Sequence, residues 1–175
     1  MSTTMYKFTD ANNRTYGGFQ WTEGEWQETS GEGKLCGPGW LHCFSSPELA
    51  GVLIHAMVVY PPERLWEAEC AGQRLDDGTL KSGFSKMRLV KEIPRVTITM
   101  AQQVRFAQLC ADAARETVSN DYAEFAVRTA NAAQQATNKE SVWLYIEASA
   151  RYAVRARPAI DFPALATRAI EEELA

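Results

Sequence analysis

The chain predicts an α+β protein in which a small, mostly antiparallel sheet with one packed helix precedes a C-terminal bundle of about four helices. Three observations carry that expectation. All 11 glycines lie at or before Gly83. Alanine is sparse before Met100 and dense after it. Four of the five tryptophans fall before residue 97, among segments whose apolar residues alternate with a period of two; beyond it, apolar residues recur every three or four positions. These shifts divide the chain into a Gly/Trp-rich α+β module over residues 1–97 and an Ala-rich helical bundle module over residues 98–175.

The totals narrow the choice further. A chain of 175 residues buries a core without disulfides or structural metals, and 46% hydrophobic with 23% charged residues excludes disordered and fibrous classes. No apolar run approaches the roughly 20 residues of a membrane span, and the N-terminus lacks the regions of a signal peptide, so a cytoplasmic location is expected. Cys36, Cys43, Cys70 and Cys110 have no metal-ligand spacing and read as buried thiols. The net charge of -4 disfavours direct nucleic-acid binding and suits a partner with a basic surface. Both modules carry -2, from 10 basic and 12 acidic residues up to Ile98 and 8 and 10 beyond it, so charge does not separate their roles.

In the first module Met5-Tyr6-Lys7-Phe8-Thr9 alternates as a strand, and Asp10 to Asn13 supply turn chemistry. Tyr16 to Trp21 is an aromatic segment loosened by two glycines, an edge or a ligand-side wall. Gly24 to Thr29 and Trp40 to Phe44 read as strands. Ser45 and Glu48 have capping-box spacing, so a helix is expected from Pro47 until Tyr60-Pro61-Pro62 stops it, with Leu49, Val52, Leu53, Ala56 and Met57 facing the sheet. Leu65 to Ala71 is a strand, Gly72 to Gly83 a long turn region, and Lys86 to Ile93 a further strand.

Four helices follow. Thr99 and Gln102 cap the first, whose stripe is Met100, Val104, Ala107, Ala111, Ala114 and Val118. Ser119-Asn120-Asp121 caps the second, with Tyr122, Phe125, Ala126, Ala130 and Ala133 on one face. Asn138 caps the third, and the fourth starts near Asp161 and Pro163 with a stripe ending at Leu174. Short connections make them antiparallel neighbours.

No coherent catalytic set stands out. His42 and Cys43 are adjacent on a strand and point to opposite faces, so they cannot pair as base and nucleophile. Cys36, His42, Cys43 and His55 match no familiar zinc spacing, and no metal is expected. Glu67 and Glu69 share one strand face about 7 Å apart, a spacing open to paired-carboxylate chemistry or to a solvated sheet face. Tyr6, Trp40, His42, Phe44 and Ser45 complete the candidate ligand or partner surface, a pocket walled by Trp40, Phe44 and Ser45.

Cys36-Gly37-Pro38-Gly39-Trp40-Leu41-His42-Cys43, Ser46-Pro47, Trp66 to Gly72 and Ser85 to Ile93 resemble a family of uncharacterised bacteriophage and bacterial proteins, a domain of unknown function, over about residues 5–94. That resemblance implies a phage or mobile-element origin. A weaker one, to ADP-ribosyltransferases, rests on Tyr6-Lys7-Phe8-Thr9 as the first strand and on Gly39 to Pro47 with Ala50 as the strand-to-helix segment. It implies NAD as cofactor, although Lys7 stands where Arg or His is expected and no glutamate aligns with the one that polarises the ribose hydroxyl.

The first expectation is therefore an accessory protein of a phage or mobile element, without a cofactor, that binds a host protein and inhibits a host defence system such as CRISPR-Cas. The alternative is an NAD-using ADP-ribosyltransferase-like enzyme with its activity lost or altered. Oligomeric state is open in both.

Overall fold

The structure, a computed structural model, describes residues 2–57, 61–116 and 120–172; the side chains of residues 55–57 lie outside the description. The inward positions expected for Ala56, Met57, Val118 and Leu174, the stop at Tyr60 and the side chain of His55 therefore fall outside it.

Strand β1 (Thr3–Thr9) pairs antiparallel with β4 (Arg64–Asp77), and β4 pairs with β5 (Lys81–Ile93). The other edge of β5 takes two short strands, β2 (Gln27–Glu28) opposite Met87 and Lys86, and β3 (Leu41–Cys43) opposite Phe84 to Ser82. Just after β3, Phe44 exchanges both backbone hydrogen bonds with Tyr6, at 2.8 and 2.9 Å. This bridge brings the β3 side of the sheet back to β1, so the sheet curls around its own inner face.

Period-two alternation then sorts the side chains. Met5, Trp66, Ala68, Cys70, Cys43, Phe84, Met87 and Leu89 fill the inside of the curl together with Trp21. Phe8 and Phe44 face outward and join a second, larger core with α1 (Pro47–Met57) and four further helices. Thr9 keeps the inner core free of an orphan donor: its hydroxyl accepts from the Trp66 indole N–H at 3.1 Å.

The region expected as a long turn from Gly72 to Gly83 is shorter. Gly72 takes φ 78°, the register shifts between Ala71 and Arg74, and β4 runs on to Asp77. A bulge absorbs the glycine, and the Ser85 hydroxyl accepts from the Gln73 N–H at 2.9 Å. Tyr16–Gly18 is a single 3-10 turn rather than a strand, because Gly17 and Gly18 sit at φ 67° and 76°. The cap of α1 is Ser46, not Ser45: its hydroxyl accepts from the Leu49 N–H.

The helices α2 (Met100–Arg115), α3 (Asp121–Gln135), α4 (Lys139–Ala156) and α5 (Phe162–Glu171) begin at the expected caps, Thr99 with Gln102, Asn120, Asn138 and Asp161. Buried alanines on α2, α3 and α4 let these helices approach closely. The Ser149 hydroxyl lies 3.0 Å from the carbonyls of both Ala107 and Ala126. The inner faces differ from the expected stripes. Phe106 and Leu109 are buried on α2, whereas Tyr122 and Phe125 on α3 are exposed and Ala123 faces inward in their place.

The β4–β5 turn locks sheet to bundle. Thr79 Oγ1 donates to the Ile160 carbonyl at 2.6 Å and accepts from the Phe162 N–H at 3.0 Å. The outer core thus contains residues from both sides of residue 97, with Leu65 and Leu80 beside Phe106 and Phe162. Replacing Phe162 with alanine should cost about 3–5 kcal/mol and lower the midpoints of tryptophan fluorescence and far-UV dichroism together. A tryptophan transition that keeps its native midpoint while the helical one falls would refute the shared core.

Candidate functional site

Where β1 and β3 separate beyond the Tyr6–Phe44 bridge, a cleft of about 740 Å³ opens. In a continued antiparallel ladder the next hydrogen-bonded pair would be Phe8 with His42. Among the described residues the pairing of these strands ends at Tyr6–Phe44, and the His42 carbonyl accepts from the Lys7 ammonium at 2.7 Å.

Three segments build the walls. Asp10 accepts from the N–H groups of Asn12 and Arg14, and Trp21 N–H reaches the Asn13 carbonyl at 2.8 Å, which fixes the 10–21 loop across the opening. That loop contributes Tyr16, Phe19 and Trp21, with Phe19 packed edge-on against Trp21 at 5.2 Å. The Cys36 to Phe44 segment contributes Trp40, whose indole N–H donates to the Gly33 carbonyl at 3.2 Å. Gly39 permits this packing, because a Cβ there would lie 2.2 Å from the Glu32 carbonyl oxygen. The third wall joins the sheet to the bundle: Lys81 of β5 and Arg151 of α4.

Three cations therefore line the cleft, and no carboxylate does among the described residues. Lys7 is 8% exposed, and its ammonium lies 5.3 Å from the centre of the Trp21 ring. Burial lowers it to about 8, against an upward pull from Cys43 and Cys70. The upward pull is weak at neutral pH, because burial pushes the Cys43 thiol well above its ordinary range and keeps it uncharged. Lys81 Nζ lies 3.1 Å from Cys36 Sγ, and Arg151 is held by Glu147 at 2.7 Å. Partial burial raises the Cys36 thiol, but the hydrogen bond and charge of Lys81 and the nearby Arg151 outweigh it, so the thiol sits below its usual value. Cys36 is exposed, unlike the three buried cysteines.

His42 lies between these charges. Burial lowers its imidazole to about 4, the hydrogen bond to the Leu35 carbonyl opposes this, and Lys7 and Lys81 reinforce it. The neutral ring donates from Nε2 to that carbonyl.

Of the seven expected site residues, Trp40, His42 and Phe44 line the cleft. Tyr6 does not; it packs against the outer core. Ser45 is exposed beyond the bridge. Glu67 and Glu69 lie on the outer side of β4, where Glu69 forms an ion pair with Arg88 at 2.5 Å. Its carboxyl is held below the usual range by Ser2 and Arg88. Neither carboxylate lines the cleft. Lys7, Cys36, Lys81 and Arg151 are the cleft residues not anticipated, whereas Trp21 belongs to the segment expected as an edge or a ligand-side wall; an inward lysine on the alternating β1 pattern was the available signal for Lys7. Among the described residues no cluster of three or more His, Cys, Asp or Glu side chains is placed to hold a metal. A second cavity of about 340 Å³, between α1 and the 95–98 segment, holds Arg95 and a Gln103 side chain already bonded to the Val52 carbonyl. Its chemistry is poorer.

Fold and cleft define a curled α+β domain with an aromatic, cation-lined opening at one sheet edge. The chain belongs to the family described as Domain of unknown function (DUF7666), whose model matches residues 3–101. No curated protein and no solved structure matches the chain significantly. The likeness to ADP-ribosyltransferases is therefore unsupported. No helix among the described residues is long and apolar enough to cross a membrane.

An imidazole at about 4 in the folded chain and near 6.5 when unfolded stabilises the fold fully above pH 6.5, and that contribution is lost as pH falls towards 4. Proton-nitrogen correlation spectra should show His42 neutral, with its proton on Nε2, down to pH 5. In His42→Gln the loss of stability between pH 6.5 and 4 should be shallower than in the native chain. An imidazole titrating near 6.5 in the folded protein would contradict the assigned environment.

Proposed function

We propose that the protein binds a small, flat organic anion in this cleft, with aromatic side chains taking the planar part and Lys81 and Arg151 taking the charge. The observation that carries the reading is the lining itself: six aromatic rings, five from the 16–21 and 40–44 segments and one from Phe8, three cations, and no carboxylate among the described residues. Aromatic faces accept flat rings by stacking, and cations in a partly desolvated cleft hold an anion more strongly than on an open surface. A volume of about 740 Å³ falls in the range of small-molecule sites.

Nucleoside phosphates and aromatic carboxylates share this chemistry. Calorimetric titration with adenosine monophosphate against adenosine, and with benzoate against benzyl alcohol, separates the two sources. At least one anion should bind ten-fold or more tightly than its neutral analogue, weaken with added salt, and lose most of that advantage in a Lys81→Ala, Arg151→Ala double variant. Equal binding of charged and neutral members, or binding by none, would overturn the reading.

NAD belongs to the same chemical class and serves as a further probe of binding. Its cleavage forms no part of the proposal, since among the described residues no carboxylate lines the cleft to polarise a ribose hydroxyl. The accessory-protein expectation, with a host protein as partner, rests on the family resemblance, the lack of a coherent catalytic set and the acidic balance, and gains no residue from the cleft.

A further inference from the structure

The cleft holds one group that simple anion binding does not need. Lys7 lies at its inner end, buried, on the strand face that fills the curl. Its neighbours are the His42 carbonyl at 2.7 Å, the Trp21 ring face, and the uncharged thiol of Cys43. Among the described residues no carboxylate forms an ion pair with it, whereas nine other basic side chains do form such pairs. A primary amine facing a cavity without a counter-ion is the arrangement of an amine nucleophile.

Resting on the binding reading, we infer that Lys7 is a covalent site for a carbonyl compound: the cleft takes a flat, anionic aldehyde or ketone, and Lys7 Nζ forms an imine with it. The neutral amine adds to the carbonyl carbon, forming the C–N bond as the carbonyl π pair moves to oxygen. The proton released from nitrogen goes to that oxygen and gives a carbinolamine. Loss of one water then forms the C=N bond, with no oxidant or reductant involved. Lys81 and Arg151 at the mouth hold the anionic group, and Trp21 and Trp40 flank the ring system. His42 stays neutral and adds no charge beside the amine. Burial also lowers Lys7 to about 8, so a useful fraction of the amine is unprotonated near neutral pH.

Pyridoxal 5′-phosphate, a flat anionic aldehyde, is the probe, and pyridoxal is its counterpart without the phosphate. The native chain is incubated with each, trapped with cyanoborohydride, which delivers hydride to the imine carbon, and digested for peptide mapping. The adduct should form on Lys7 at least ten-fold faster than on the exposed Lys139 of the same molecule. Its rate should reach half its maximum near pH 8. Pyridoxal should label Lys7 more slowly, and Lys7→Arg, which keeps the charge but not the primary amine, should lose the fast adduct. The Lys139 comparison keeps the test decisive even where a Lys7 variant fails to fold. Labelling of Lys81 in place of Lys7, or equal labelling of Lys7 and Lys139, overturns the imine site. Should pyridoxal phosphate still compete with adenosine monophosphate in that case, the binding reading survives alone; failure of both anions to bind removes the two together.

Discussion

Two backbone hydrogen bonds between Tyr6 and Phe44 set the terms for everything else in this molecule. They tie the first strand to the segment that follows β3, and so bend the sheet until its inner face becomes a core of its own. Because side chains alternate, fixing Tyr6 outward fixes Lys7 inward. The same bridge delivers the chain to Ser46, whose hydroxyl caps α1 and turns Leu49, Val52 and Leu53 onto the outer core. Where the bridge ends, the strands part, and the cleft is the gap they leave.

The cost of that arrangement falls on Lys7. A shift from 10.5 to about 8 corresponds to roughly 3 kcal/mol against the ammonium form, about what burial of one large apolar side chain returns. The inner core holds Trp21, Trp66, Met87 and Leu89, all nearly inaccessible, so it carries the burden comfortably. The cleft is also a joint product of the two compositional halves. The family match ends at residue 101, whereas Arg151 comes from α4, positioned by Thr79 clamping the α4–α5 connection and by the outer core.

Much of the architecture could be read from local signals. Thr99, Asn120, Asn138 and Asp161 announce their helices because a capping side chain acts within three residues. Trp66, Ala68 and Cys70 were legible as one face because strand alternation is a local rule. The misreadings arose where distant partners decide. Gly72 looked like the start of a loop, yet pairing with β5 carries the strand through it as a bulge. Tyr122 and Phe125 looked like core, but the close approach of α3 to α4 selects alanines for the inner face and leaves the rings outside. Trp40, His42 and Phe44 were visible as a site because they are contiguous. Lys81 and Arg151 join them only through long-range packing, which no spacing in the sequence encodes.

The curl buries the Lys7 amine in an aromatic cleft where, among the described residues, no carboxylate pairs with it. Carbon and nitrogen NMR titration of the six lysines, with Lys7 assigned by its loss in Lys7→Arg, tests it directly. The structure predicts that Lys7 titrates near 8. A Lys7 midpoint at the ordinary lysine value near 10.4 would contradict it.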